Sequence, residues 1–211
     1  MDFAFTPEQD DLREVVRDFL THHAVRSREP GSSDSALWRR FTVELGLAGP
    51  DLGAVERAVV LEETGRALLA LPYLTTLVAG QFLPADLVAA AAGAPATVHC
   101  GEGLAVRGGR IFGTVDGVLD GDVAMLAALA AAGDDGRGLY AVRLDGPGVS
   151  RRATSTQDLS RPTATFTFGG APATRLAATP AVGPGRAAPP ARRPRIPLRR
   201  VASPPHARRR G

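Results

Sequence analysis

Thr6-Pro7-Glu8-Gln9-Asp10-Asp11-Leu12-Arg13-Glu14-Val15-Val16-Arg17-Asp18-Phe19-Leu20 reads as the start of a capped amphipathic helix. Thr6 is placed to accept hydrogen bonds from the first turn, Pro7 suits the first helical position, and Gln9 reaches back to the cap. Leu12, Val15, Val16, Phe19 and Leu20 then follow the i, i+3, i+4, i+7, i+8 rule, so one stripe of the helix faces a core. His22-His23 falls at the negative end of the helix dipole, which reads as capping rather than catalysis.

Working outward, Pro30-Gly31 within Arg28 to Ser33 predicts a turn. A second helix is expected from Ser35 to Leu45, burying Leu37, Trp38, Phe41 and Leu45 and stopping at Gly46 in the left-handed region. A third should run from Gly53 to Leu71 on the spacing of Val55, Val59 and Leu68, with Pro72 ending it. Shorter helices are expected over Tyr73 to Phe82 and Ala85 to Ala92. The uncharged run Ala67 to Ala85 contains Pro72, Gly80 and Pro84, so it reads as buried helix rather than a membrane span.

After Pro95 the helical period gives way to alternation punctuated by turn signals, which predicts short antiparallel strands in a small barrel or sandwich. In Thr163 to Phe168, Ala164, Phe166 and Phe168 point one way and the three threonines the other. Further strands are expected over Ala96 to Cys100, Leu104 to Val106, Arg110 to Val115, Ala124 to Ala131 and Gly138 to Leu144. The fold class is therefore α+β: an N-terminal helical bundle over residues 1–93, an antiparallel β-domain over 94–176, and a tail over 177–211.

The chain has 211 residues and a net charge of +3, but nine arginines and no acid lie in residues 177–211, so the preceding part stands at −6. Eight prolines in that tail argue for disorder, and the abrupt shift at Ala177 suggests a change of coding frame in GC-rich DNA. The tail has no aromatic residue to stack on bases, which disfavours a nucleic-acid role. The absence of lysine excludes an ordinary phosphate-binding P-loop. With a single cysteine, Cys100, and no export signal, a reducing cytoplasm is expected.

Other motifs favour bland readings. Gly101-Glu102-Gly103 lacks the third glycine and the following helix of a dinucleotide site, so it is a turn. His99 and Cys100 have no further ligands in reach and predict a strand residue and a buried thiol; no metal site is expected. No Gly-x-Ser-x-Gly elbow occurs. Glu62 and Glu63 diverge by about 100° on a helix and read as a solvated face.

Several strings resemble the acyl-CoA dehydrogenase family. Met1-Asp2-Phe3-Ala4-Phe5-Thr6 with Glu8-Gln9, Leu12, Val16-Arg17 and Phe19 is similar to its opening. Trp38, Glu44-Leu45-Gly46 and Leu61-Glu62-Glu63-Thr64-Gly65-Arg66-Ala67-Leu68 are similar to its next helices. In the β-part, Asp120-Gly121, Ala124 to Ala131, Gly138 to Val142, Asp158, Pro162 and Phe166-Thr167-Phe168-Gly169-Gly170-Ala171-Pro172 resemble its middle strands and exit.

The resemblance implies FAD, an acyl-CoA substrate oxidised to the trans-enoyl thioester, an electron-transfer flavoprotein as acceptor, and homo- or hetero-oligomers. It covers the family's first two parts only. The carboxylate base belongs to the third, so no catalytic residue is assigned here, and little activity is expected of this chain alone; the alternative is a non-catalytic partner subunit. The family's flavin-contacting aromatic-Ile-Thr/Ser segment corresponds to Gly117-Val118-Leu119-Asp120, which makes Val118 and Leu119 the candidate cofactor contacts, although Leu119 has no hydroxyl. The family's Thr-Glu-Pro stretch with Gly-Ser is absent, and its glycine-rich passage between the second and third helices is shortened to Gly49-Pro50-Asp51-Leu52-Gly53.

Overall fold

A computed structural model describes residues 4–26, 28–48, 52–90, 93–154 and 156–176. The expected tail, 177–211, lies outside the described residues. Helices come first: α1 (Pro7–His23), α2 (Ser35–Arg39), α3 (Ala54–Arg66), α4 (Tyr73–Ala79) and α5 (Ala85–Ala90). Strands follow: β1 (Ala96–His99), β2 (Leu104–Arg107), β3 (Arg110–Leu119), β4 (Leu126–Gly133), β5 (Gly136–Arg143), β6 (Val149–Thr154) and β7 (Thr163–Arg175). The α+β class holds. In place of a bundle of long helices, α1 and α3 are accompanied by three helices of five to seven residues.

The reciprocal capping box forms at Thr6 and Gln9, and Leu12, Val16, Phe19 and Leu20 are buried. Val15, at the margin of the stripe, remains 37 % exposed. Past α2 the chain continues as a π-helical turn, Arg40–Glu44, and Gly46 takes φ +71° as the left-handed stop. Phe41 meets Tyr73 edge to face at 5.0 Å, and the Tyr73 hydroxyl donates to the Leu47 carbonyl at 2.6 Å, so the polar tip of the buried ring is satisfied. These residues, with Leu37, Trp38, Val60, Leu69 and Leu71, make one apolar cluster.

The third helix ends earlier than expected. It stops at Arg66, Pro72 instead precedes α4, and the Ala67 to Ala85 run is connector, short helix and turn. Val55 lies on its exposed side and Leu68, also exposed, falls beyond its end, while Val59, Val60, Glu63 and Thr64 are inside.

Strands β4, β2, β3, β7 and β5 close a five-stranded barrel, with β1 added beside β4 and β6 beside β7. Not every pairing is antiparallel: β1 and β2 follow one another along the same edge of β4, both parallel to it. A parallel neighbour requires a crossover, and the intervening β3 and its turns provide it. Strand β6 is an element that the spacing did not reveal, and β7 runs seven residues past Phe168. Inside the barrel, Ile111, Val115, Val118, Leu129, Phe166 and Phe168 pack together, with the two phenylalanines stacked at 5.8 Å.

Strand β4 is buried on both faces. Its inner side chains fill the barrel, while Leu126 and Ala128 meet Ala79, Leu83 and Leu176 outside. Alanine at positions 127, 128, 130, 131 and 132 lets the helical layer approach the sheet closely.

Candidate functional site

The end of β3 is where the barrel, α4 and the connector after α1 converge. Val115 pairs with Phe166 and Val118 with Ala164, so β3 carries one extra residue and bulges at Asp116-Gly117. Gly117 takes φ +69°, a left-handed conformation suited to glycine, and the Thr165 hydroxyl donates to the Asp116 carboxylate. Because of this bulge Val115 and Val118, three apart, both point into the barrel.

Val118 is fully buried in that core, and Leu119 is half-buried. The Leu119 carbonyl accepts the hydroxyl of fully buried Thr97 at 2.7 Å, which ties β1 to β3. Asp120 follows with φ +52°, an uncommon conformation for a residue with a side chain. A Cβ on the next residue, Gly121, would stand 2.8 Å from the Phe166 ring and 2.9 Å from the Val118 carbonyl, so the turn closes only with glycine there.

Two carboxylates, Asp120 and Asp122, meet the Arg28 guanidinium in the space behind this turn, with Arg151 and Arg161 at its margins. Arg28 donates through Nη2 to Asp120 Oδ1 at 2.9 Å and to Asp122 Oδ1 at 3.0 Å, and through Nη1 to Asp122 Oδ2. The second Asp120 oxygen accepts the Thr75 hydroxyl at 2.9 Å and lies 3.8 Å from Arg161. Arg151 donates to the carbonyls of Asp122 and Ala124 while resting over the Phe166 ring. Burial raises the Asp120 carboxyl above the ordinary aspartate range, against the bonds from Thr75 and Arg28 that favour its charged form.

Sequence reasoning named Val118 and Leu119 and missed Arg28, Thr75, Asp120 and Asp122 as one group. Asp120-Gly121 entered only through the family resemblance, Arg28 is more than ninety residues away, and nothing local to it marks the pairing.

Other residues singled out in the sequence fall elsewhere. Gly101 to Gly103 is a turn, and His99 is a strand residue whose pKa is lowered by burial. Cys100 is exposed rather than a buried thiol, because it follows the last residue of β1. His22 Nδ1 donates to the Asp18 carbonyl at 2.8 Å near the end of α1. Glu63 departs most: it is 1 % exposed and bonded to three arginines rather than solvated. Among the described residues no group of three or more His, Cys, Asp or Glu is placed to hold a metal ion. None of the helices among them is long and apolar enough to cross a membrane.

No family model matches the chain. Over 141 residues it is 31 % identical to a Mycobacterium tuberculosis protein described as acyl-CoA dehydrogenase IpdE2, covering 60 % of this chain and 43 % of that one. Among solved structures, the Tcur3481-Tcur3483 steroid acyl-CoA dehydrogenase matches at TM-score 0.67 and 27 % identity over 81 % of this chain and 57 % of its own. The ChsE4-ChsE5 complex from Mycobacterium tuberculosis matches at TM-score 0.65 and 26 % identity over 85 % of this chain and 57 % of its own. The chain spans about half the length of these relatives, and over that span it is similar to acyl-CoA dehydrogenases.

Proposed function

We propose that this chain supplies the N-terminal helical part, residues 1–93, and the middle β-part, residues 94–176, of a cytoplasmic FAD-dependent oxidoreductase acting on the CH–CH bond beside an acyl-CoA thioester. The observation that carries this reading is the closed barrel with a bulged, tightly turned β3 exit, joined to likeness above 25 % identity with a steroid acyl-CoA dehydrogenase and with the ChsE4-ChsE5 complex. Half-buried Leu119 would meet the cofactor through its apolar side chain, with Val118, buried in the barrel, holding that segment in place.

The residues present do not make a complete flavin site. Gly117 to Ala124 contains no hydroxyl or amide side chain, Val118 is turned into the barrel, and the Leu119 carbonyl is engaged by Thr97. A flavin ring carries a polar rim that needs hydrogen-bond partners when removed from water. Those partners must come from elsewhere, and no reaction step is assigned to this chain by itself.

A second reading follows from the same shortfall: the chain is a non-catalytic partner subunit that docks on a complete dehydrogenase. Its likeness to a complex of two different chains, ChsE4 and ChsE5, favours it. Electron-transfer flavoprotein is the proposed electron acceptor of the assembly. Purification alone and after co-expression with a complete acyl-CoA dehydrogenase, followed by the visible flavin absorbance, separates the two. Flavin retained by the isolated chain supports the first reading; flavin found only in a co-purified complex supports the second. No flavin and no complex would overturn both.

A further inference from the structure

We infer that Arg28 is a positioning residue through which the helical layer sets the backbone of the β3 exit. The inference rests on and deepens the reading of the Val118-Leu119 segment as the part of β3 that meets the cofactor. Arg28 leaves α1 by a short connector whose own backbone is pinned to the barrel: its N–H donates to the Leu159 carbonyl at 3.1 Å. The Gly31 N–H donates to Asp122 Oδ2 at 2.8 Å, and Arg28 Nη1 also reaches the Ser32 carbonyl at 3.0 Å, so the connector wraps around Asp122.

The guanidinium fork then holds two carboxylates of one turn, spaced two residues apart. That spacing constrains the intervening Gly121 and fixes Asp120 in its left-handed conformation, which persists only where the surroundings over-determine it. Thr75 closes the other side of Asp120 from α4, so both contacts on this carboxylate that come from the helical layer lie immediately after Leu119. Arg28 Nε has no partner among the described residues, so the binding is done by the two terminal nitrogens, a bidentate geometry that lysine lacks.

General glue between layers would need none of this. Any buried contact would serve, and loosening it would weaken the whole barrel. A positioning role predicts a local effect.

Hydrogen–deuterium exchange on the full chain tests it with Arg28→Lys, which keeps the charge, and Thr75→Val as a milder second variant. Amides from Leu119 to Ala124 should exchange on the order of tenfold faster in Arg28→Lys and by a smaller factor in Thr75→Val, with β4 and β5 unchanged. Unchanged exchange in that turn, or uniform acceleration through the barrel, would overturn the inference. Flavin retention in the co-expressed complex is read in parallel. Local loosening with weaker flavin retention supports both claims; local loosening with retention unaltered keeps Arg28 as a positioning residue and removes Val118 and Leu119 from the cofactor site.

Discussion

Arg17 holds Glu63 with two donors, Nε at 3.0 Å and Nη2 at 2.7 Å, and thereby clamps α1 to α3 across the helical core. Arg66 adds a bond of 2.8 Å from within α3, and Arg13 one of 3.3 Å from α1. A carboxylate with 1 % exposure is tolerated because its oxygens are occupied by these guanidinium groups. The bonds from Arg17 and then Arg66, working against burial, pull its pKa down to about 2.

Glu63→Gln should therefore destabilise the chain at neutral pH. The folded pKa lies below the unfolded value, so this stabilisation is fully present above the unfolded pKa of about 4.5 and is lost as pH falls toward 2. Arg17 and Arg66 are about half exposed, so solvent screening holds the expected loss to roughly 2 kcal/mol. Urea unfolding of both proteins at several pH values checks it: the gap between them should close on acidification. A gap independent of pH would show that the clamp acts through packing alone.

The error over Glu63 illustrates what a single sequence conveys. The cap at Thr6 and the alternation in Thr163 to Phe168 are local and were legible, because their partners lie within a few residues. Glu63 sits on a helix face whose partners, Arg13 and Arg17, lie on another helix, so helical spacing alone could not show that the pair faces inward. The parallel edge of β4 was hidden for the same reason, since strand spacing carries no information about pairing across the intervening β3. At the candidate site, Leu119 was named through family resemblance, whereas the pairing of Arg28 with Asp122 required the fold.

Gly113 marks a close approach between strands. It has φ +118°, and an added Cβ would stand 2.1 Å from the Gly103 carbonyl and 3.3 Å from the Leu104 Cα. Both obstacles are backbone, so neither can rotate away. Gly113→Ala should cost about 3 kcal/mol or more by parting β2 from β3. Thermal unfolding measures this, and a near-neutral result would mean the two strands separate without consequence for the barrel.

Leu68 occupies the position after the α3 cap where glycine is usual. Its N–H bonds the Gly65 carbonyl at 3.1 Å and that of Leu69 bonds the Thr64 carbonyl at 3.0 Å, the paired bonds of a Schellman stop. With φ +52° and 61 % exposure, it carries left-handed strain and little burial in return. Leu68→Gly should raise stability by about 0.5–1 kcal/mol, seen as a higher Tm. A lower Tm would mean that the leucine side chain makes a contact worth more than its strain.

Asp120 allows conformation and charge to be separated. Asparagine tolerates the left-handed region and keeps an oxygen for Arg28, so Asp120→Asn should cost no more than about 1–2 kcal/mol. Alanine adds left-handed strain and removes the acceptor that Thr75 and Arg28 Nη2 share, leaving the hydroxyl to the Pro72 carbonyl and Nη2 to Asp122 alone; Asp120→Ala should cost more than Asp120→Asn, about 2–3 kcal/mol. The pH dependence runs opposite to that of Glu63. Burial raises the folded Asp120 pKa, so the folded state binds the proton more tightly, and this group's contribution to stability falls as pH rises from the unfolded pKa through the folded one. That decline should be missing in Asp120→Asn, whose stability relative to the parent improves across the same window. If the two variants cost the same and neither alters the pH profile, the turn is held by Asp122 and its backbone bonds, and the carboxylate of Asp120 is incidental to it.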